Sequence, residues 1–359
     1  MRTLGNGAGP MVCLVAALAL LTACTPAREA PAPDAARTLV VADSYPVTHP
    51  ASRDGIVYFT DRVRELTGGA LDVEYYPSEQ LGKSTDYVKL VASRAVDIGV
   101  VSPPYLSDKL PLSNVGDLPG LSTDSCTTAR AVGELTREGG LLHREEFAPR
   151  GLRTLFVGVV PQYELFTNGP VTDPAQLAGL LTRSPGGVVD QTLNTLGATP
   201  VSIAGPEVYE AMSRGTVDAM TLPPMSAVPF RLDEVASHAT EGAPLGGFTL
   251  TFAISEALWQ ELPETHRDAM TRAGEETTRH LCAVMDAETA EARSSLEEGG
   301  MTFTSLAPEQ QQRWQAAVAS VRARWAADME ARGRPGREVL TAMEDALDRA
   351  RDDDAEAAR

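Results

Sequence analysis

The sequence predicts an α/β fold of two similar lobes, with a long helix bracing them and a helical C-terminus. Three observations carry this. Short apolar strands alternate with helical patterns from residue 38 onward, which implies mainly parallel sheets covered on both faces. The alternation occurs twice, and "YVKLVASRAVD" in the first block is echoed by "EVYEAMSRGTVD" in the second. Beyond residue 255 the pattern becomes mostly helical. Two large blocks favour two lobes over a solenoid, which needs more and shorter units.

The first block opens with "RTLVVADS", which reads as a buried strand, followed by a loop with Pro46 and Pro50. "SRDGIVYFTDRVREL" has helical periodicity, and Thr67-Gly68-Gly69 supplies its stop. "LDVEYYP" alternates like a strand, and "STDYVKLVASR" is a helix with a Ser/Thr start. "AVDIGVVSPP" then enters another strand ending at two prolines.

The second block follows the same order. "GLLTR" is strand-like, "SPGG" is a loop, and "VVDQTLNTL" is a helix closed by Gly197. "TPVSI" is a strand and "PEVYEAMSR" a helix, and "GTVDAMTLPP" again runs through a strand to a double proline. The remainder is helical from "SEALWQELPETHRDAM" to a stop at Gly299-Gly300. A short strand "MTFTSL", a helix from Pro308 and a last helix over roughly 336–350 precede a charged tail, expected to be disordered.

Composition bounds the function. The chain has 359 residues, enough for two sizeable cores, and a net charge of −18 from 49 acidic and 31 basic residues. That balance argues against nucleic acid, which calls for a basic face. Arg2 precedes the apolar run "MVCLVAALALL", too short to span a bilayer as a stable helix, and "LTAC" follows at 21–24. This order of charge, apolar run and Leu-Thr-Ala-Cys resembles the signal of bacterial lipoproteins, which implies that Cys24 becomes a lipidated N-terminus. The Pro- and Ala-rich stretch behind it reads as an extended tether. The expectation is a domain held outside the cell membrane by a lipid. Of the other cysteines, Cys13 leaves with the signal, and Cys126 and Cys282 form either a disulfide or two separate buried thiols.

One charge interrupts the second block. Leu180 and Leu181 begin an apolar run, Arg183 breaks it, and Pro185-Gly186-Gly187 turns the chain into a helix. In open α/β sheets, ligands bind beyond the carboxyl ends of strands, where helix N-termini present unpaired N–H groups. A guanidinium there presents a fixed fork that matches a carboxylate. From position alone, Arg183 reads equally as an anion ligand or as the partner of a nearby Asp or Glu.

The chain, from about residue 38 to 330, resembles the solute-binding subunits of tripartite ATP-independent periplasmic (TRAP) transporters, of the dicarboxylate-binding-protein type. "TGGALDVEYYPSEQLG" is similar to the family's Thr-Gly-Gly, strand, proline and Gln-Leu-Gly run, and "VKLVASRAVDIGVVSP" to its next helix and strand. "DLPGL" resembles its Leu-Pro segment, with Gly120 where an aromatic is usual. "TDPAQLAGLLTRSPGG" resembles the element ending in the arginine that clamps the ligand carboxylate, and "PEVYEAMSRGTVDAM" its most recognisable stretch. The resemblance implies a two-lobed periplasmic-binding-protein-like fold with a hinge and a bridging helix, no cofactor, and Arg183 as the clamp. It also implies delivery of ligand to membrane permease subunits. The expected organisation is a signal peptide at 1–24 and a tether at 25–37. Lobe I is expected over 38–158 plus about 249–285. Lobe II takes 159–248 plus the C-terminal helices, about 286–350, with a disordered tail at 351–359.

Further candidate contacts are Ser44, Tyr45 and His49 after the first strand, Tyr105 after Pro103-Pro104, Tyr163 at the entry to the second lobe, and Pro224. His49 also reads as a surface or satisfied histidine, the two tyrosines as packing, and Tyr209 as core. Where the family often has a Glu-Asn pair after Val217-Asp218, this chain has Thr221-Leu222-Pro223-Pro224-Met225. The ligand is therefore either a dicarboxylate or an apolar, aromatic, keto or hydroxy monocarboxylate. An exported enzyme is the rival class, yet there is no Gly-x-Ser-x-Gly, no His-Glu-x-x-His, no phosphate loop and no pair of histidines at metal-ligand spacing. Presentation of the ligand to a membrane sensor is the third reading.

Overall fold

The structure is a computed structural model describing residues 36–121, 124–160 and 162–357, with side chains through Asp353. The first lobe opens with β1 (Arg37–Ala42), a π-helical turn at Ala51–Val57 that continues as α1 (Tyr58–Leu66), and β2 (Leu71–Tyr76). It proceeds through α2 (Tyr87–Ala92), β3 (Ile98–Val101), α3 (Ser125–Thr136) and β4 (Leu152–Val160). The chain then crosses to a second sheet. There it forms β5 (Glu164–Thr167), β6 (Leu181–Ser184), α4 (Gly187–Thr195), β7 (Thr199–Ser202), α5 (Val208–Ser213), β8 (Ala219–Leu222), α6 (Pro224–Ala227) and β9 (His238–Glu241). It returns as β10 (Phe248–Ser255), followed by α7 (Glu256–Glu261) and α8 (Glu264–Glu298). β11 (Thr302–Ser305), α9 (Pro308–Val318), α10 (Val321–Ala331) and α11 (Gly336–Ala357) complete the fold.

The sheets have orders β2-β1-β3-β10-β4 and β11-β9-β5-β8-β6-β7. They are mixed, which corrects the expectation of mainly parallel sheets. β10 runs antiparallel to both its neighbours, and so does β5. Parallel neighbours need a covering crossover, whereas β5 and β10 each arrive directly from the other lobe. Both are buried along their whole length, as strands covered on both faces must be. The first core centres on Phe59, Phe156 and Phe252, with Phe156 stacked on Phe252 at 4.5 Å. The second gathers Phe166, Val208, Met220 and Leu222.

α8 is the bracing helix, about 52 Å long at 1.5 Å per residue. Its first half lies on β4. Gly274 is required there, because a Cβ would come within 2.0 Å of the Leu155 carbonyl, and Thr278 Oγ1 accepts from the Val157 N–H at 3.2 Å. Cys282 is joined to Cys126 at the start of α3. The second half reaches the other lobe, where Arg293 pairs with Glu241 at the end of β9.

The sequence-based expectation that the C-terminal helices, about 286–350, belong to the second lobe is corrected by their packing. α9 lies against α4, α10 against both α4 and α11, and α11 returns to α3. The apolar stripe of Val339, Met343, Ala346 and Leu347 needs a partner face, and α3 offers one. α11 also runs to Ala357, so residues 351–357 are helical where a disordered tail was expected. Among the described residues no helix is long and apolar enough to cross a membrane.

Candidate functional site

The strands of both sheets end at the junction between the lobes, and each contributes to one polar cluster there. Arg183 is the third residue of β6, which runs parallel to β7 and β8. Its guanidinium is completely buried. Nε donates to the Ile203 carbonyl at 2.8 Å and Nη1 to the Thr221 carbonyl at 2.7 Å, so the strands on either side fix the plane of the fork. Nη2 is buried without a hydrogen-bond partner among the described residues. A buried cation whose donors meet two carbonyl dipoles and, nearby, a neutral phenol, but no counter-charge, is costly unless an anion completes the set. The ion-pair reading is not what the geometry shows.

The first lobe supplies neutral hydroxyl groups. Tyr45, Tyr105 and Tyr163 are the phenols that feel the Arg183 charge, and burial pushes all three above their ordinary range, so they remain protonated donors. Tyr105 Oη lies close to the guanidinium and accepts from the Gly205 N–H across the lobes at 2.8 Å. Ser44 Oγ, Tyr45 Oη and Ser102 Oγ are buried without partners among the described residues. β1 and β3 are parallel neighbours, with Val41 opposite Ile98. Ser44 and Ser102, just past the ends of these strands, are therefore brought together with Tyr45. Asp43 holds the loop from behind. Its carboxylate accepts from the Tyr45 N–H (3.0 Å), Ser52 Oγ (2.8 Å) and Tyr75 Oη (2.8 Å). Burial pushes this carboxyl up to about 6 despite those donors.

His49 is buried and satisfied on both ring nitrogens. Nδ1 accepts from the Ala51 N–H at 3.1 Å, so Nε2 carries the proton and donates to Ser226 Oγ of the second lobe at 3.0 Å. Burial, helped by the Arg53 charge, lowers its pKa to about 3. Its ring stacks on Tyr45 at 4.5 Å and faces Phe230 at 5.7 Å. Pro224 is buried at the first position of α6, where a missing N–H costs nothing, and so sets the start of the helix that carries Ser226. Tyr163 stacks on Phe248, which also touches Tyr105. Tyr209, read as core, is half-buried and donates to Glu234.

One expectation needs adjustment. α4 does begin directly after Arg183, but its start is pressed onto the first lobe: a Cβ on Gly187 would lie 2.0 Å from Asn114 Oδ1. Ser102, Ser226 and Phe230 were missed by the sequence reading. The signal for the two serines is the repeated strand and double proline, "VVSPPY" and "TLPPMS", which ends a strand at the junction in both lobes. Cys24 lies outside the described residues.

Two lobes whose strand ends enclose a buried, half-satisfied cation define a binding protein that closes on a small anionic solute. Comparison with known proteins agrees. A profile described as bacterial extracellular solute-binding protein, family 7, matches residues 42–328, and the chain belongs to this family. It is 28% identical over 276 residues to the C4-dicarboxylate-binding periplasmic protein of Rhodobacter capsulatus, covering 74% of this chain and 80% of that one. Among solved structures, a TRAP solute-binding protein from Rhodoferax ferrireducens in complex with benzoate superposes with a TM-score of 0.81 at 25% identity, covering 90% of this chain and 100% of that one. One from Bordetella bronchiseptica with bound (R)- and (S)-mandelate gives a TM-score of 0.78 at 24% identity, covering 87% and 99%. The family is extracytoplasmic.

Proposed function

We propose that this protein is the lipid-anchored receptor of a TRAP transporter, capturing a small organic acid between its lobes and delivering it to the membrane permease. The observation that carries the reading is Arg183, buried with its Nη2 unpartnered and its plane fixed by Ile203 and Thr221. An incoming carboxylate completes the fork with a charge-assisted hydrogen bond in a site that water does not screen. Lobe closure brings Tyr105 to Gly205 and His49 to Ser226, so capture and closure are one event. The benzoate and mandelate of the related structures are acids of this kind.

A thermal-shift screen against carboxylates and neutral sugars tests the clamp. A ligand at a hundredfold its Kd adds about 2.7 kcal/mol of stability. Stabilisation by acids alone, lost in Arg183→Ala, is the expected result. Stabilisation that survives the substitution sinks the assignment. The anchor is tested by fractionation: Cys24→Ser should move the protein from the membrane to the soluble extracytoplasmic fraction, and membrane retention would refute lipidation at that residue.

A further inference from the structure

The charges around the cleft restrict the ligand further, on the reading that Arg183 clamps its carboxylate. The segments that meet there are 43–49, 102–107, 163–164, 183–191, 203–207 and 221–230, and Arg183 is the sole arginine or lysine among them. Lys83, at the rim, is exposed and already bonded to Glu79 and to Glu207. His49 cannot serve as a second cation. Its Nδ1 accepts the Ala51 N–H, so a proton there would point at another proton and break that bond. The nearby carboxylates add negative charge: Asp43 sits behind Tyr45, and Asp190 is bonded to Ser184 and Ser202 beside the clamp. Besides Arg183 Nη2, the unpartnered atoms of these segments are the hydroxyls of Ser44, Tyr45 and Ser102, Gln191 Oε1, and Oε2 of Glu164, whose carboxyl burial pushes up to about 8, so that it adds no counter-ion for an anion either.

We infer that the cleft takes a carboxylic acid as a monoanion whose remaining polarity is a neutral oxygen, a hydroxyl or carbonyl, facing Ser44, Tyr45 and Ser102, and that it rejects a second ionised carboxylate. One buried cation neutralises one charge. A second carboxylate in the closed cleft would lose its hydration without a counter-ion, the situation in which buried charges are most costly. Hydroxyls donate to and accept from neutral oxygens equally well, and a buried hydroxyl left unpaired is itself penalised, so the site favours a ligand that supplies that oxygen. This chain therefore parts from the dicarboxylate binding that the name of its Rhodobacter relative states.

Isothermal titration of the purified protein separates the possibilities, with succinate compared against monomethyl succinate, and mandelate against phenylacetate and neutral mandelamide. The expected result is at least tenfold tighter binding of monomethyl succinate than of succinate, a preference for mandelate over phenylacetate that shrinks in Ser102→Ala, no response to mandelamide, and loss of all binding in Arg183→Ala. Succinate binding as tightly as its monoester, still abolished by Arg183→Ala, overturns the monoanion rule and leaves the clamp standing. A mandelate preference untouched by Ser102→Ala overturns the assignment of the hydroxyl face. Failure of every acid to bind, or binding indifferent to Arg183→Ala, removes the clamp and the inference with it.

Discussion

At Arg183 the protein buries a charge and then constrains it with backbone rather than with acid. The two carbonyls come from residues 20 and 38 positions away, so the site exists only once β6, β7 and β8 are assembled. Lysine could reach one of these carbonyls, but a point charge cannot hold both and still present an aimed donor. Glu164, the first residue of β5, illustrates the opposite expense. Its Oε2 is buried without a partner among the described residues. Burial, with the Glu241 charge added and Arg293 opposing, pushes its carboxyl up to about 8. The folded state thus holds this proton more tightly than the unfolded chain, and stability falls as pH rises from about 4.5 to about 8. Glu164→Gln should therefore raise Tm by a margin that is small near pH 5 and grows toward pH 8, by at most about 1.4 kcal/mol per pH unit crossed. A margin that does not change with pH in thermal melts would refute this.

Elements place these residues by how they begin and end. Gly187 opens α4 at φ +61°, and its missing side chain lets the helix start lie against Asn114 and Ser107 of the first lobe. Alanine there carries the strain of a left-handed conformation, about 1 kcal/mol, which lowers Tm by roughly 1–2 °C in a chain of this size. Its larger effect falls on the closed form, where the methyl would collide with Asn114. Gly187→Ala should weaken acid binding at least tenfold in calorimetry, and unchanged affinity would show that the contact does not limit closure. Much of this level was legible in the sequence, because strands ending in double prolines and helices ending at Gly197 or Gly299-Gly300 are local signals. What was not legible is which element meets which. The alternation of apolar residues marks β5 and β10 as strands but does not say that they enter opposed to their neighbours. Nor does the apolar stripe of α11 name α3 as its cover. His49 and Ser226 are 177 residues apart, and no spacing rule joins them.

At the scale of the molecule, the lobes share one chain that passes between them four times, after β4, after β9, along α8, and from α10 to α11 on α3. The bond between Cys126 and Cys282 ties α8 to α3 across a separation of 156 residues. In the chain-entropy view such a closure stabilises by about 5 kcal/mol, by restricting the unfolded state. It also makes the first half of α8 part of the first lobe, so motion between lobes must be absorbed farther along the helix, in the two strand crossings and between α10 and α11.

The position of β10 has a consequence for how the protein is made. A chain emerging from its N-terminus has produced β1 to β4 by residue 160, yet the strand that lies between β3 and β4 ends only at Ser255. Until then the first sheet has a gap in its middle, and β4 has no neighbour to pair with. The second sheet lacks only its edge strand β11 once β9 ends at Glu241. The first half cannot commit to its fold early, and long-range pairing of this kind is slow. For a protein that must be threaded across a membrane before it works, late closure keeps the chain pliable until most of it has been delivered.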